Sequence, residues 1–307
     1  MYKRKIYDKL LEWKKRAHGT TALLIEGARR VGKSMLVAEF GRREYRSCVI
    51  VDFMKPNKKV VAALALWAAP AVARETVVFV CAHPDDLAGP SGTAILLAEK
   101  FDVHVIDYTH GEGGLDEAGF KDGSTKVKRT HEEEEACAVA GATLHWLDEP
   151  NGHPEWGVPC CSAGTGTCER LAALLDRLKP RAVILHWPID THPDHVMSVA
   201  ATFRALSNIG RLAGGPNAPE IYFQEQTSQS KTFVPAYYVD ITPVIDRKDE
   251  LIRKYVCQDG EAIARRKRED AVFRGRRAGF EYAEAFGVME GSVRNGRSIF
   301  TELRSTR

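Results

Sequence analysis

Six consecutive residues, Cys81-Ala82-His83-Pro84-Asp85-Asp86, set an imidazole and two adjacent carboxylates at the end of an apolar run, Thr76-Val77-Val78-Phe79-Val80. The run is rich in β-branched residues and reads as a buried strand. Charge at the end of a buried strand is costly unless it is paired or binds metal. A second cluster lies downstream, where the strand-like Arg181-Ala182-Val183-Ile184-Leu185-His186 is followed by Thr191-His192-Pro193-Asp194-His195. Two strands that deliver histidines and carboxylates past their C-terminal ends suggest one metal site at the edge of a parallel sheet.

The chemistry open to such a cluster is metal-assisted hydrolysis. A hydrolytic zinc ion takes three protein ligands from His and Asp/Glu and keeps one position for water. His83 and Asp86 are three residues apart with Pro84 bending the chain between them, so both can face one ion, and His195 closes the triad from the other strand. The ion brings the pKa of its water to about 7. Asp85, unable to share the metal easily with Asp86, is left as general base for that water. His192, as imidazolium, would stabilise an oxyanion and protonate a leaving amine. Asp194 would orient one of the histidines. Two histidines and a carboxylate also suit Fe(II).

The elements that must position these groups alternate. Strands are expected at 76–80, 102–108, 143–147, 181–186, 221–223 and 237–241. Helices are expected at 92–100, 126–140, 168–178, 196–206, 246–256 and roughly 261–277. Such alternation predicts an α/β fold with a mostly parallel sheet flanked by helices. Residues 149–167 form a Gly/Pro-rich loop holding Trp156, Cys160 and Cys161, expected to rim the pocket. Cys160, Cys161 and Cys168 do not have zinc-knuckle spacing. A loop disulfide involving Cys168 is expected if the protein is exported, and free thiols if it is cytosolic.

The chain of 307 residues carries a net charge of +3, unevenly spread. Residues 1–53 hold 13 basic and 6 acidic residues, or +7, and the rest holds 31 and 35, or −4. The larger part therefore has no basic excess to recommend nucleic acid as a partner. Residues 1–20 fit a short helix. A strand at 21–26 then runs into Gly27-Ala28-Arg29-Arg30-Val31-Gly32-Lys33-Ser34, a full phosphate-loop motif. Gly27, Gly32, Lys33 and Ser34 are its nucleotide-binding candidates. Residues 1–53 resemble the opening of AAA-like ATP-binding proteins, but no later strand ends in the Asp that would position Mg²⁺. We read them as an incomplete P-loop-like fragment. Residues 54–73 combine a start residue, a basic segment, an apolar run from Val60 and an Ala71-Val72-Ala73 site. These are the parts of a signal peptide, and the uncharged stretch is too short for a stable membrane span. The alternative is a linker helix. The expected compartment is secreted or periplasmic if the segment is a signal, and cytoplasmic otherwise.

Ala82-His83-Pro84-Asp85-Asp86 together with His192-Pro193-Asp194-His195 resembles the PIG-L/LmbE-like family of zinc-dependent N-deacetylases. Further agreement lies in Thr109-His110-Gly111-Glu112-Gly113, Arg129-x-x-Glu132, Val239-Asp240-Ile241-Thr242, Gln258 and Tyr282-Ala283-Glu284-Ala285-Phe286. The resemblance covers about residues 75–290 and makes residues 74–307 the deacetylase domain. It implies a Rossmann-like fold and removal of an acetyl or other acyl group from an amino sugar or its glycoconjugate. It also implies His83, Asp86 and His195 as Zn²⁺ ligands, Asp85 as base, His192 as electrostatic stabiliser, and Arg129 and Glu112 as substrate-binding residues. Two departures bear on the substrate. Leu87 stands where the family commonly has Glu, and Tyr255-Val256-Cys257-Gln258 replaces a His-x-Ser-Gln. Two other classes remain as alternatives: a nucleotide-binding protein centred on Lys33, and a non-catalytic carbohydrate-binding protein. His145 and His186 are expected to be structural.

Overall fold

The computed structural model describes residues 5–17, single positions between 36 and 44, and residues 74–114, 124–149, 164–212, 215, 217–226, 228–293 and 297–304. The chain divides into two units, Met1–Val72 and Ala73–Arg307. In the first, helix α1 (Lys5–Ala17) matches the expected short helix. It buries Leu10, and Tyr7 packs edge-on against Phe40 and donates to Glu44. The phosphate-loop candidates Gly27, Gly32, Lys33 and Ser34, the 54–73 segment, and Trp156, Cys160 and Cys161 lie outside the described residues.

The second unit alternates strands and helices as its sequence pattern requires. Its elements are β1 (Thr76–Cys81), α2 (Ser91–Ala98), β2 (Asp102–Thr109), α3 (Thr125–Ala140), β3 (Thr143–Glu149), α4 (Thr165–Leu178), β4 (Ala182–His186), α5 (Pro193–Asn208), β5 (Glu220–Gln224), β6 (Tyr237–Asp240), α6 (Ile245–Ile252), α7 (Gly260–Ala278), β7 (Ala283–Val288) and α8 (Ile299–Arg304). The seven strands form one sheet in the order β3-β2-β1-β4-β5-β7-β6. The first five pair in parallel, and β7 runs antiparallel to both β5 and β6.

Side-chain alternation splits the core in two. Val77, Phe79, Val103, Val105, Ile184 and Tyr222 face the layer built by α2, α3, α6, α7 and α8. Val78, Val80, Ile106, Val183, Leu185 and Ile221 face α4 and α5. Both faces are covered, which is why these strands read as continuous apolar runs.

Strand order fixes where a site belongs. From β1 the chain moves outward through β2 and β3, then returns to lay β4 on the other side of β1. The loops leaving β1 and β4 therefore diverge, and the crevice between them is the topological switch point at which open α/β sheets bind ligands. Both His/Asp clusters occupy that crevice.

Three expectations need correcting. Ala283–Val288 is a strand that the sequence pattern did not flag, because Ala-Glu-Ala-Phe-Gly-Val has one β-branched residue. Helix α6 ends at Ile252, and Val256–Gln258 is a separate 3₁₀ turn. Cys168 lies inside α4, fully buried as a free thiol against the Ala201 carbonyl, so it forms no loop disulfide. Among the described residues no helix is long and apolar enough to cross a membrane.

Candidate metal centre at the switch point

The β1 strand ends at Cys81, and the chain turns sharply through a 3₁₀ turn, Asp86–Ala88. Asp86 folds back on the strand end, where its Oδ2 accepts the backbone N–H of Ala82 (2.9 Å) and of His83 (2.8 Å). Its other oxygen, Oδ1, lies 3.2 Å from Nε2 of His195, and Oδ2 lies 3.2 Å from Nε2 of His186. His83 places Nδ1 3.6 Å from Asp86 and Nε2 3.0 Å from Asp194.

The second cluster forms the start of α5. His192 is the N-cap and its Nδ1 accepts the backbone N–H of Asp194, with Pro193 at the first helical position, where its fixed φ is pre-set. Asp194 and His195 follow in the first turn and are buried. The rings of His83 and His195 have centroids 5.8 Å apart, and His192 lies 4.7 Å from each. The expected ligands thus meet in one place.

Among the described residues, His, Cys, Asp and Glu donor atoms within 4.8 Å of one another fall into two groups that share His195: His83, His192 and His195, and Asp86, His186 and His195. The expected triad of His83, Asp86 and His195 spans the two. Imidazole nitrogens with one carboxylate are the donor set of hydrolytic zinc or of Fe(II). The electrostatics agree. Burial opposes charge on His195, but Asp86 and Asp190 outweigh it and lift the imidazole to about 10. Burial likewise opposes ionisation of Asp86, yet His195 and His186 hold its carboxyl well below the usual range. A buried carboxylate ringed by imidazoles demands positive charge, and a divalent cation fits that demand.

His186 is fully buried at the end of β4, stacked on His195 with centroids 4.0 Å apart and planes at 8°. Its Nε2 accepts the Ala82 N–H at 3.3 Å and lies 3.2 Å from Oδ2 of Asp86, so His186 is tied to the end of β1 beside Asp86. Asp190, absent from the sequence reading, carries the second support. Its Oδ1 accepts the His192 N–H (2.8 Å) and lies 3.2 Å from Nδ1 of His195, and its Oδ2 accepts from Ser230. The signal is a fourth carboxylate two residues before His192, in Pro188-Ile189-Asp190-Thr191-His192.

Asp85 occupies a left-handed conformation (φ 95°, ψ −17°), a strained state for a residue with a Cβ, costing about 1–3 kcal/mol. The twist sends the two adjacent aspartates apart, so that Asp86 meets the histidines while Oδ1 of Asp85 accepts from the Arg129 guanidinium at 2.6 Å. Burial raises the Asp85 carboxyl and Arg129 pulls it back, leaving it at about 6, a value suited to a base near neutrality. Burial, with His83 and His195 alongside, lowers His192 to about 4. With Nδ1 already accepting a hydrogen bond, His192 is a neutral Nε2–H donor and not the imidazolium expected from sequence.

Arg129 also departs from expectation. It is 5% exposed, and its guanidinium donates to the carbonyls of Pro84 and Gly111 as well as to Asp85. Its charge is spent inside the protein, binding two loops together, and it is not presented to a substrate. Glu112 lies in the loop after β2, with Oε2 buried and without a hydrogen-bond partner. His110 in the same loop is held by Thr130 and Asp148 and stacks on Trp146.

The family model described as "PIG-L: GlcNAc-PI de-N-acetylase" matches residues 78–206, which hold both clusters. The chain carries a PIG-L family domain. Solved structures similar to it include the 4-carboxy-2-hydroxymuconate hydratase GalB of Pseudomonas putida KT2440, at 24% identity and TM-score 0.60, with 73% of this chain and 100% of that one covered. The N,N'-diacetylchitobiose deacetylase of Pyrococcus horikoshii is similar at 22% identity and TM-score 0.57, with 79% and 95% covered. The A40926 pseudoaglycone deacetylase Dbv21 is similar at 15% identity and TM-score 0.54, with 72% and 99% covered. These likenesses show the LmbE-like fold. No curated protein matches the chain.

Proposed function

We propose that the Ala73–Arg307 unit is a metal-dependent N-deacetylase that hydrolyses the acetyl amide of an amino sugar or of a glycoconjugate bearing one. The convergence of His83, Asp86 and His195 beside an Asp85 turned the other way carries this reading. The PIG-L domain and the deacetylases that share the fold support it.

His83, Asp86 and His195 would hold Zn²⁺, with Fe²⁺ as a second candidate. Bound there, the cation would acidify a water and polarise the acyl carbonyl. The rest falls to the chain. Asp85 accepts the proton that the attacking water loses, and a proton returns to the departing amine, so that carboxylate and amine leave. His192, through Nε2–H, donates to the oxygen on which negative charge develops. Asp194 and Asp190 hold the imidazoles of His83 and His195 in their orientations.

The test is metal analysis of the purified protein with amine release from a panel of N-acetylamino sugars, comparing wild type with Asp85→Ala. A metal-loaded Asp85→Ala protein that turns over at the wild-type rate removes Asp85 as base. The shared fold of a hydratase motivates a second reading, water addition to an unsaturated acid. Loss of alkene absorbance without acetate release would favour it. We also propose that 54–73 acts as an export signal; exported protein should begin at Arg74, and an intact Met1 rejects that assignment.

A further inference from the structure

We infer that Glu133 is a positioning residue that, with Arg129, holds Asp85 in its left-handed conformation; the inference rests on the role of Asp85 in the reading above. Arg129 and Glu133 are four residues apart on α3 and therefore share a face. Both are buried, Glu133 at 1% exposure. Arg129 grips Asp85 from the side-chain end and at the preceding carbonyl of Pro84. Glu133 grips it from the backbone, where its Oε2 accepts the Asp85 N–H at 3.3 Å. Its other oxygen accepts from the Cys137 thiol.

A carboxylate buried this deeply beside Asp107 is unfavourable to keep, and packing alone would be served by leucine. What it supplies is an acceptor for an N–H that points into the protein because the residue is left-handed. The Arg129 and Glu133 pair separates two neighbouring carboxylates into two tasks, with one element bracing the base from both ends. Glu132 extends the same brace by accepting the Cys257 N–H at 2.8 Å, which fixes the Val256–Gln258 turn.

The test uses the full zinc-loaded chain and two variants. Glu133→Gln keeps an acceptor of the same length, and Glu133→Leu keeps the volume without one. Metal content, kcat, KM and hydrogen exchange at the Asp85 amide are measured by acetate release and by NMR. Glu133→Leu should lose about 10–100-fold in kcat, as expected when a reacting group is misplaced, with KM and zinc content held. Its Asp85 amide should exchange faster while the β1 amides stay protected. Glu133→Gln should restore both kcat and protection. Wild-type kcat and exchange in Glu133→Leu overturn the inference, as does zinc loss in step with activity. If Glu133→Leu does not fold, Glu133→Gln decides, because loss of its Asp85 protection overturns the inference. Should the wild-type protein release no acetate from any substrate, the deacetylase reading fails, and amide exchange at Asp85 still judges the brace.

Discussion

Replacing Arg129 by methionine separates the two roles an arginine could have beside this site. The guanidinium donates to the Pro84 carbonyl, to the Gly111 carbonyl at 3.0 Å and to Oδ1 of Asp85 at 2.6 Å. Two buried carbonyls then lose a charged donor, at about 1–3 kcal/mol each. The Asp85 side chain keeps 27% of its exposure, so water takes up part of its charge and its share lies at the low end. Together these come to about 2–7 kcal/mol, a span that contains the range for breaking a buried pair. For a unit of this size that is a fall in melting temperature on the order of 10 °C.

The pH profile is the sharper readout. Burial pushes the Asp85 carboxyl up and Arg129 counters it, giving about 6. Removing the positive neighbour moves the carboxyl further up, because only the ionised form was favoured by the guanidinium. A base must be ionised, so the acid limb of kcat/KM moves to higher pH in Arg129→Met. A cation in the site would lower Asp85 in both proteins alike, and the difference between them survives. The measurement is kcat/KM from pH 5 to 9 beside thermal unfolding. An unmoved acid limb with a raised KM would refute the reasoning and return Arg129 to substrate binding.

Three further outcomes follow from the same geometry. Asp194→Asn and Asp190→Asn should each weaken zinc affinity by about 10–100-fold in chelator competition while leaving the fold intact, since each orients one ligand imidazole. Lys248 is 1% exposed and donates to the carbonyls of Ala88 and Gly89 and to Glu284, which in turn caps Gly92 and Thr93. Lys248→Met should therefore cost about 3–5 kcal/mol in urea unfolding, by leaving Glu284 buried and unpaired. His145 receives or gives a hydrogen bond at 2.8 Å to His104, and burial, His104 and Arg177 lower its pKa. Its folded value lies below the unfolded value of about 6.5, so its contribution is present above that pH and is lost as pH falls through the folded value. His145→Gln should flatten the fall in stability between pH 7.5 and 5.5.

The parts of this protein that were legible in its sequence are those that local chemistry writes. Val77 to Val80 had to be a buried strand, and a histidine with two aspartates at its end had to face something positive. Because β1 and β4 both end in such clusters, a shared site at their C-terminal ends follows from parallel pairing alone. The illegible parts are set across the chain. Asp86 and Asp85 are chemically identical neighbours, and adjacency gives only a reason for them to differ. What makes them differ is the left-handed turn at Asp85, and its partners Arg129 and Glu133 stand 44 and 48 residues away. The same distance hides the task of Arg129, whose type fits a substrate anion as well as a buried brace until its 5% exposure is known. Asp190 is not singled out and His186 reads as structural for a related reason, since each is one more polar residue at a strand end until Asp86 and His195 are seen between them. An aspartate pair at a strand end therefore marks a site, while the division of labour within the pair is written on the helix that packs over it. Exchanging the identities of Arg129 and Glu133 would keep composition, helix and volume nearly constant. It should nonetheless abolish the left-handed turn at Asp85, because the acceptor for its N–H and the donor for its carboxylate would each face the wrong end.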